Sequence, residues 1–549
     1  MSQWTVSMPL RRPHVVVVAG LAFCTLPILA HAQPLPPGGG RSTVVDCTQG
    51  QKITPRLTAS RVALIIRGVC TENVVGAVDD VTISTDGLTP ATIVAADPNQ
   101  PTIRFEGSRR VVIDGGRISG QPGLTIAGGS FGIVAIRGAA VDVRNCIVSD
   151  TSRSGIAATT GSTVVVDNCR VAGNAGNGVG ASNSSSLYIT NSIVSNNAQT
   201  GVFATRGSYV RVGQSIGLDA NPSGVTAPVT VSANGTGISI NESSAGTVLA
   251  SEISGNAGTG IAVSRASSAQ IGIGINDLLG PNTIQNNGGT GISVFQSSQA
   301  LIRGNTIQDH PGGNGIAVTS GAATIIGNQV RRNGFRGVQV QESGNAKIGV
   351  IDGNNGLLGN IIENNADDGI GVFTGAAAVI GGNTIQTNAS NGVQISRAIG
   401  RFVGSNIIQL NTGHGIAISD TTSLFQGQGQ FNVPNVVDTV QNNTLAGINA
   451  FNGSSLDITN ILIQNNGQRG ISLSSNTSAS LQNSTIRNNT NDGISVFSAS
   501  ILTTPAAANV VITGNTGFGI QCFGAEASFG GDITGVTGNA GGGVSCTGF

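Results

Sequence analysis

Charge is scarce in this chain of 549 residues: 10% of them are charged, 27 basic against 27 acidic, for a net charge of zero. That leaves no basic stripe for nucleic acid and no acidic tail for a cationic partner. Aromatics are scarcer still, at 3%. With 82 Gly and much Ser and Asn, such a composition raises disorder or aggregation as a rival to a packed fold. Lysine occurs only at Lys52 and Lys347. Beyond residue 32 no stretch approaches the roughly 20 apolar residues of a membrane span, so a membrane-crossing mature chain is excluded.

The apolar run that does exist is at the start. Arg11 and Arg12 precede Val15 to Ala30, followed by His31 and Ala32, the pattern of a secretory signal over 1–32 cleaved before Gln33. A lipoprotein reading through Cys24 is disfavoured by the bulk of Phe23 before it. "QPLPPGGGR" is too rich in Pro and Gly to pack, which makes 33–43 a flexible leader. The expected product is exported and soluble, secreted or periplasmic.

What fills the rest is one repeat. Gly followed by Ile or Val recurs seventeen times from Gly132 to Gly543, most often at intervals of 23. The third residue after each Gly is again apolar, so the period is two and the segment is a strand with one buried face. Four residues before the Gly, Asn recurs, as at Asn174, Asn256, Asn365, Asn388, Asn411, Asn443, Asn466 and Asn489. Asn and Gly tolerate the left-handed backbone of a sharp bend. The unit reads as three short strands with no room for a helix. It is too small to bury its apolar side alone, so coils must stack in parallel, Ile on Ile and Asn on Asn. Strict alternation argues against disorder, because disorder imposes no phase. The expected fold is an all-β, single-stranded parallel β-helix of about 17–20 coils, regular over 132–549, with a capping region and irregular coils over 44–131.

"GNTIQTNASNGVQI" and "QNSTIRNNTNDGISV" resemble the right-handed parallel β-helix repeat of the pectin-lyase-like superfamily, over nearly the whole mature chain. The resemblance implies the fold. It leaves function among polysaccharide lyases, glycoside hydrolases, uronate epimerases, tailspikes and adhesins.

Six cysteines follow the signal segment. Cys47 and Cys70, Cys146 and Cys169, and Cys522 and Cys546 are each one coil apart. Stacked Cα atoms about 4.8 Å apart fit a disulfide, so three staples are expected in an oxidising compartment. Buried free thiols are the alternative for the middle pair.

The outward positions of the second strand carry no acidic cluster of the kind enzymes of this superfamily use. The one ionisable file lies just before the repeat Gly: Arg336, Asp367, Asp368, His414, Arg469 and Asp492. Gly413-His414-Gly415 and Asp367-Asp368 resemble polygalacturonase motifs, but the Asn-Thr-Asp and Arg-x-Lys elements are missing, and His414 stands two coils from Asp368. His414 therefore reads as a variable residue beside a repeat glycine, and the file as a solvated charge row. Asp309-His310 is isolated, without metal-ligand spacing.

Phe295, Phe373, Phe451, Phe497 and Phe523 share the fourth position after the Gly. The first three keep step with long insertions expected to form a wall beside them. Sugar CH groups stack on such rings, although the rings could equally fold over a corner to cover the insertions. The reading is an exported β-helix with a structural or recognition role, binding a polysaccharide or cell-surface glycan along its exposed sheet. The alternatives are a polysaccharide lyase, epimerase or hydrolase using the charged file, and a spacer without a ligand. No cofactor or metal is expected, with calcium entering only if the chain is a lyase.

Overall fold

The computed structural model describes residues 42–549 apart from 215, 218–226, 274–276, 350–358, 421, 427–436, 506–507, 525, 532–533 and 547–549. The expected signal segment and most of the leader lie outside the described residues, as do central parts of the insertions.

Each coil contributes three short strands separated by turns. In one coil Ile370–Phe373 joins sheet C, Ala377–Ile380 joins sheet A and Thr384–Gln386 joins sheet B. The next coil re-enters sheet C at Val393–Ser396, paired in parallel as Ile370↔Val393 and Phe373↔Ser396. Repetition yields three long parallel sheets, A with 20 strands, about twenty turns of a solenoid. Alternation does the packing. Ile370, Val372, Ala378, Ile380 and Ile385 point into the shared core and are buried, while Gln394 and Ser396 point out. The rule extends into the N-terminal region, where Thr43–Asp46 already pairs with Val62–Arg67 in sheet A. Two 3-10 turns, Cys47–Gln49 and Thr54–Arg56, close that end. Buried Glu72 there accepts hydrogen bonds from the N–H groups of Ile53 and Thr54.

The corners face a harder problem, because each bend turns a backbone N–H inward with no strand to pair with. Over long runs of coils each of the three corners solves it with a file of buried polar side chains. At the B-to-C corner Asn365 donates its backbone N–H to Asn388 Oδ1 at 3.1 Å and Asn388 donates to Asn411 at 3.1 Å; the side-chain amides pair in the same direction at 2.9 and 3.0 Å. Asn411, Asn443, Asn466 and Asn489 continue the ladder. A second ladder at the A-to-B corner runs through Asn282, Asn305, Asn328, Asn360, Asn383 and Asn406 to Asp438. Serines do the same at the C-to-A corner, from Ser162 through Ser185, Ser208, Ser244 and Ser267 to Ser298.

The repeat glycine is not used for left-handed backbone, contrary to the sequence expectation; in the B-to-C turn the positive φ belongs to the residue before the ladder Asn, such as Asn364 at 55°. A Cβ on Gly369 would lie 2.5 Å from Ile385 Cγ2, 2.7 Å from the Gly392 carbonyl and 2.8 Å from Asn388 Nδ2. Glycine is required there because the next coil passes too close for any side chain.

Two of the three expected staples form: Cys47–Cys70 with Cα atoms 5.0 Å apart and Cys522–Cys546 at 4.7 Å. The third does not. Cys146 and Cys169 are buried free thiols. Both Sγ atoms lie along the A-to-B corner, that of Cys146 donating to the Arg144 carbonyl at 3.0 Å and that of Cys169 to the Asp167 carbonyl at 3.3 Å. Cys169 Sγ instead serves as the acceptor for the Cys146 N–H at 3.4 Å.

Candidate functional site

The residue before the repeat Gly and the outward second and fourth positions of sheet C form one strip. In register it carries Gln339, Gly371, Gln394, Ala417, Asn449, Ser472, Ser495 and Gln521. Beside it stand Phe373, Ser396, Ser419 and Phe451, then Phe497 and Phe523.

At one end, three members of the charged file meet. Arg336 binds Asp368 through Nε at 3.0 Å and Asp367 at 2.9 Å, and its guanidinium lies 4.6 Å from the centre of the Phe373 ring. Gly371 makes this possible, since a Cβ there would strike the Arg336 side chain at 2.6 Å. Asp368 is fully buried; its other oxygen accepts from the backbone and side-chain amides of Asn391 at 3.1 and 3.0 Å. A buried carboxylate bound to a guanidinium and two amide N–H groups has its oxygens committed to those partners, which suits it to hold Arg336 over the ring.

His414 does not join this cluster. Asn391 stands between, accepting the His414 backbone N–H at 2.9 Å, while His414 Nδ1 accepts the Ala446 N–H at 3.2 Å. Burial holds the imidazole below its ordinary pKa. The histidine thus serves as a corner acceptor in the slot before the repeat glycine.

The other end repeats the first motif in different atoms. Arg469 donates through Nε to Ser495 Oγ at 2.9 Å, and Ser495 donates to Asp492 Oδ2 at 2.7 Å. The Phe518 N–H donates to Asp492 Oδ1 at 2.9 Å. The Arg469 guanidinium lies 5.1 Å from the Phe497 ring centre, and that ring stacks on Phe523 at 4.4 Å. Among the described residues Arg469 has no ion-pair partner, since its link to Asp492 passes through a hydroxyl. Five coil rises, about 24 Å, separate Asp368 from Asp492. That is well beyond the roughly 5–9.5 Å at which two carboxylates flank a glycosidic bond.

Phe295 shares the fourth-position row one coil before Thr319, and like the other four phenylalanines it is half-buried. The wall expected beside the phenylalanines falls largely outside the described residues. Sequence reasoning missed the A-to-B and C-to-A ladders and an outward glutamine file on sheet B; the recurring Thr-Ile-Gln at 283–285, 306–308 and 384–386 was the available signal for the last. No three metal-ligating side chains gather among the described residues, and none of their helices is long and apolar enough to cross a membrane.

A family model for the right-handed β-helix region matches residues 81–216, 236–428 and 437–540, and the chain belongs to that family. Nothing among the curated proteins matches. Among solved structures it is similar to the periplasmic alginate epimerase AlgG, with 11% identity, 75% of this chain and 78% of that one covered, and a TM-score of 0.29. The tailspike protein 3 of bacteriophage CBA120 shares 11% identity over 80% of this chain and 57% of the other, with a TM-score of 0.26. The A-module of the Azotobacter vinelandii mannuronan C-5 epimerase AlgE4 shares 12% over 82% and 90%, with a TM-score of 0.21. These likenesses concern the winding of the chain and carry nothing about its chemistry.

Proposed function

We propose that this is an exported binding protein whose sheet C holds an extended, carboxylate-bearing polysaccharide along the solenoid axis. The observation that carries the reading is the pair of guanidinium-on-phenyl stacks, Arg336 on Phe373 and Arg469 on Phe497. They bracket a strip of hydrogen-bonding side chains, Gln394, Ser396, Ser419, Asn449 and Ser472, with the Phe451 ring among them. Arg469 offers its outer donors to a sugar carboxylate, and the rings offer faces to sugar CH groups. Two disulfides suit an oxidising compartment, which supports export and the signal peptide read at 1–32.

The test is incubation of the purified protein with polyuronates and neutral glycans, following retention, reducing ends and unsaturated products together. Retention on a polyuronate without turnover, weakened at least tenfold by Arg469→Ala or Phe451→Ala, supports the reading. Turnover abolished in Asp368→Ala and His414→Ala overturns it in favour of an enzyme. Neither retention nor turnover leaves the molecule a spacer.

A further inference from the structure

Sheet B carries a second ordered surface, unrelated to the charged file. On its outward side glutamines stack coil on coil into hydrogen-bonded chains of fixed polarity. Gln386 donates to Glu363 at 2.8 Å, Gln409 to Gln386 at 3.0 Å, Gln441 to Gln409 at 2.9 Å and Gln464 to Gln441 at 2.7 Å; Arg487 closes the row on Gln464 at 2.9 Å. A shorter chain precedes it, from Glu252 through Gln285 and Gln308 to Arg331. Each chain starts on a carboxylate, which only accepts, and ends on a guanidinium, which only donates. The glutamines between them are locked in direction and carry no charge.

The adjacent outward row alternates. From coil to coil it reads Ile361, Thr384, Ile407, Thr439, Leu462, Thr485, Val511. Ile361, Ile407 and Val511 are exposed at 41%, 40% and 43%, although nothing in solenoid packing requires an outward aliphatic. The apolar period is two coils, about 10 Å, laid beside amides that repeat every coil.

We propose that this face of sheet B binds a neutral, extended β-1,4-linked polysaccharide lying along the axis, at a site separate from sheet C and independent of the function proposed for it. Each glutamine from Gln386 to Gln464 keeps one N–H and one carbonyl lone pair unused. A hydroxyl, which both donates and accepts, satisfies both, whereas a carboxylate or phosphate satisfies only the donor. A β-1,4-linked chain with a twofold screw turns alternate sugars over, so its surface chemistry repeats every second sugar. Each sugar advances by close to one coil rise. Lying on its ring faces, such a chain offers CH groups to Ile361, Ile407, Leu462 and Val511, while its equatorial hydroxyls, which change sides from one sugar to the next, reach Thr384, Thr439, Thr485 and the glutamine row. The absence of charge along Gln386 to Gln464 fits a neutral polymer.

The experiment is depletion of the full-length mature protein from solution by microcrystalline cellulose, insoluble xylan and mannan, with amylose, an α-linked helical glucan, as comparison. Retention on at least one of the β-1,4 polymers and not on amylose is expected. Ile407→Glu combined with Leu462→Glu should weaken it at least tenfold without moving the melting temperature. Thr439→Lys on the same strip gives a second reading should that pair fold poorly. Arg469→Ala on sheet C should leave this retention unchanged even where it abolishes polyuronate binding, so the two proposals fail separately. No retention on any of the three polymers, equal retention on amylose, or a loss caused by Arg469→Ala and not by the sheet B variants overturns the proposal.

Discussion

The two asparagine-bearing corners have the same geometry and different chemistry. Along the B-to-C corner the buried rung is asparagine from Asn174 to Asn515, apart from His310, with half-buried Asn539 at the end. Along the A-to-B corner the rung is a thiol at Cys146 and Cys169, a hydroxyl at Ser192 and Ser251 with apolar Val229 between them, an amide from Asn282 to Asn406 and a carboxyl at Asp438, after which Ile461 is apolar again and Ser484 polar. Where the rung is polar it supplies an inward acceptor for the N–H of the coil before it, and sulfur, hydroxyl, amide, imidazole and carboxyl all provide one. Asparagine adds an amide donor that pairs along the file and onto nearby carbonyls, so it alone satisfies both directions. The exceptions therefore leave marks: His310 Nε2, Asn333 Oδ1 and Asp438 Oδ2 are buried without partners.

The comparison breaks most visibly in the middle of the complete ladder. Asn388→Ala removes the acceptor of two buried donors, the Asn365 backbone N–H and its side-chain amide. At about 1–3 kcal/mol for each stranded group, the loss should be roughly 2–6 kcal/mol in urea unfolding, with faster hydrogen exchange at the Asn365 amide. A loss under about 1 kcal/mol would mean that water replaces the ladder, and the distinction between the corners would vanish.

The two odd rungs sharpen it through pH. Burial holds His310 neutral, with its pKa lowered to about 4 from an ordinary 6.5; unfolding lets it take up a proton, so its contribution to stability is complete above 6.5 and is lost as pH falls toward 4. Burial raises Asp438 from 3.8 to about 6; its contribution is complete below 3.8 and is lost as pH rises through 6. Each spans about 3 kcal/mol, with opposite slopes in nearly the same window. Measured as the difference from wild type between pH 4 and 6.5, His310→Asn should gain most at low pH, where it removes a histidine that resists protonation. Asp438→Asn should gain most at pH 6.5, where it replaces a carboxyl that resists ionisation and supplies the missing amide donor. Differences that do not move with pH would place both side chains in contact with solvent.

His310 also shows why part of the molecule was legible in the sequence and part was not. The repeat of Gly, Ile and Val could be read because every coil buries the same positions, and the close approach at Gly369 admits no other residue. His310 stands five residues before Gly315, one more than the usual ladder Asn, so letter-matching set it aside as half of an isolated Asp-His pair. The A-to-B ladder hid because four residue types share one role there, leaving no single letter to repeat. The charged file was visible as a row, but which members meet depends on the coil spacing and on the gap at Gly371: Arg336 reaches Asp367 and Asp368, while Arg469 reaches Asp492 only through Ser495.

The smallest expected effect lies at the thiol end of the A-to-B file, where the sequence suggested a disulfide. Cys169 Sγ accepts the Cys146 N–H at 3.4 Å, and one coil later Ser192 Oγ accepts the Cys169 N–H at 3.0 Å. A hydroxyl already does the sulfur's work next door, so Cys169→Ser should cost less than about 1 kcal/mol, the loss of little more than one weak hydrogen bond and a small volume change. Burial raises the Cys146 thiol pKa well above its ordinary value, and both thiols should resist alkylation in the native protein. Denaturation without reductant should then expose two titratable thiols, with Cys47, Cys70, Cys522 and Cys546 still bonded. If none appears and a Cys146–Cys169 crosslink is found by mass spectrometry, the sulfur rungs are a staple, and the equivalence of thiol and hydroxyl as corner acceptors fails where it was tested most directly.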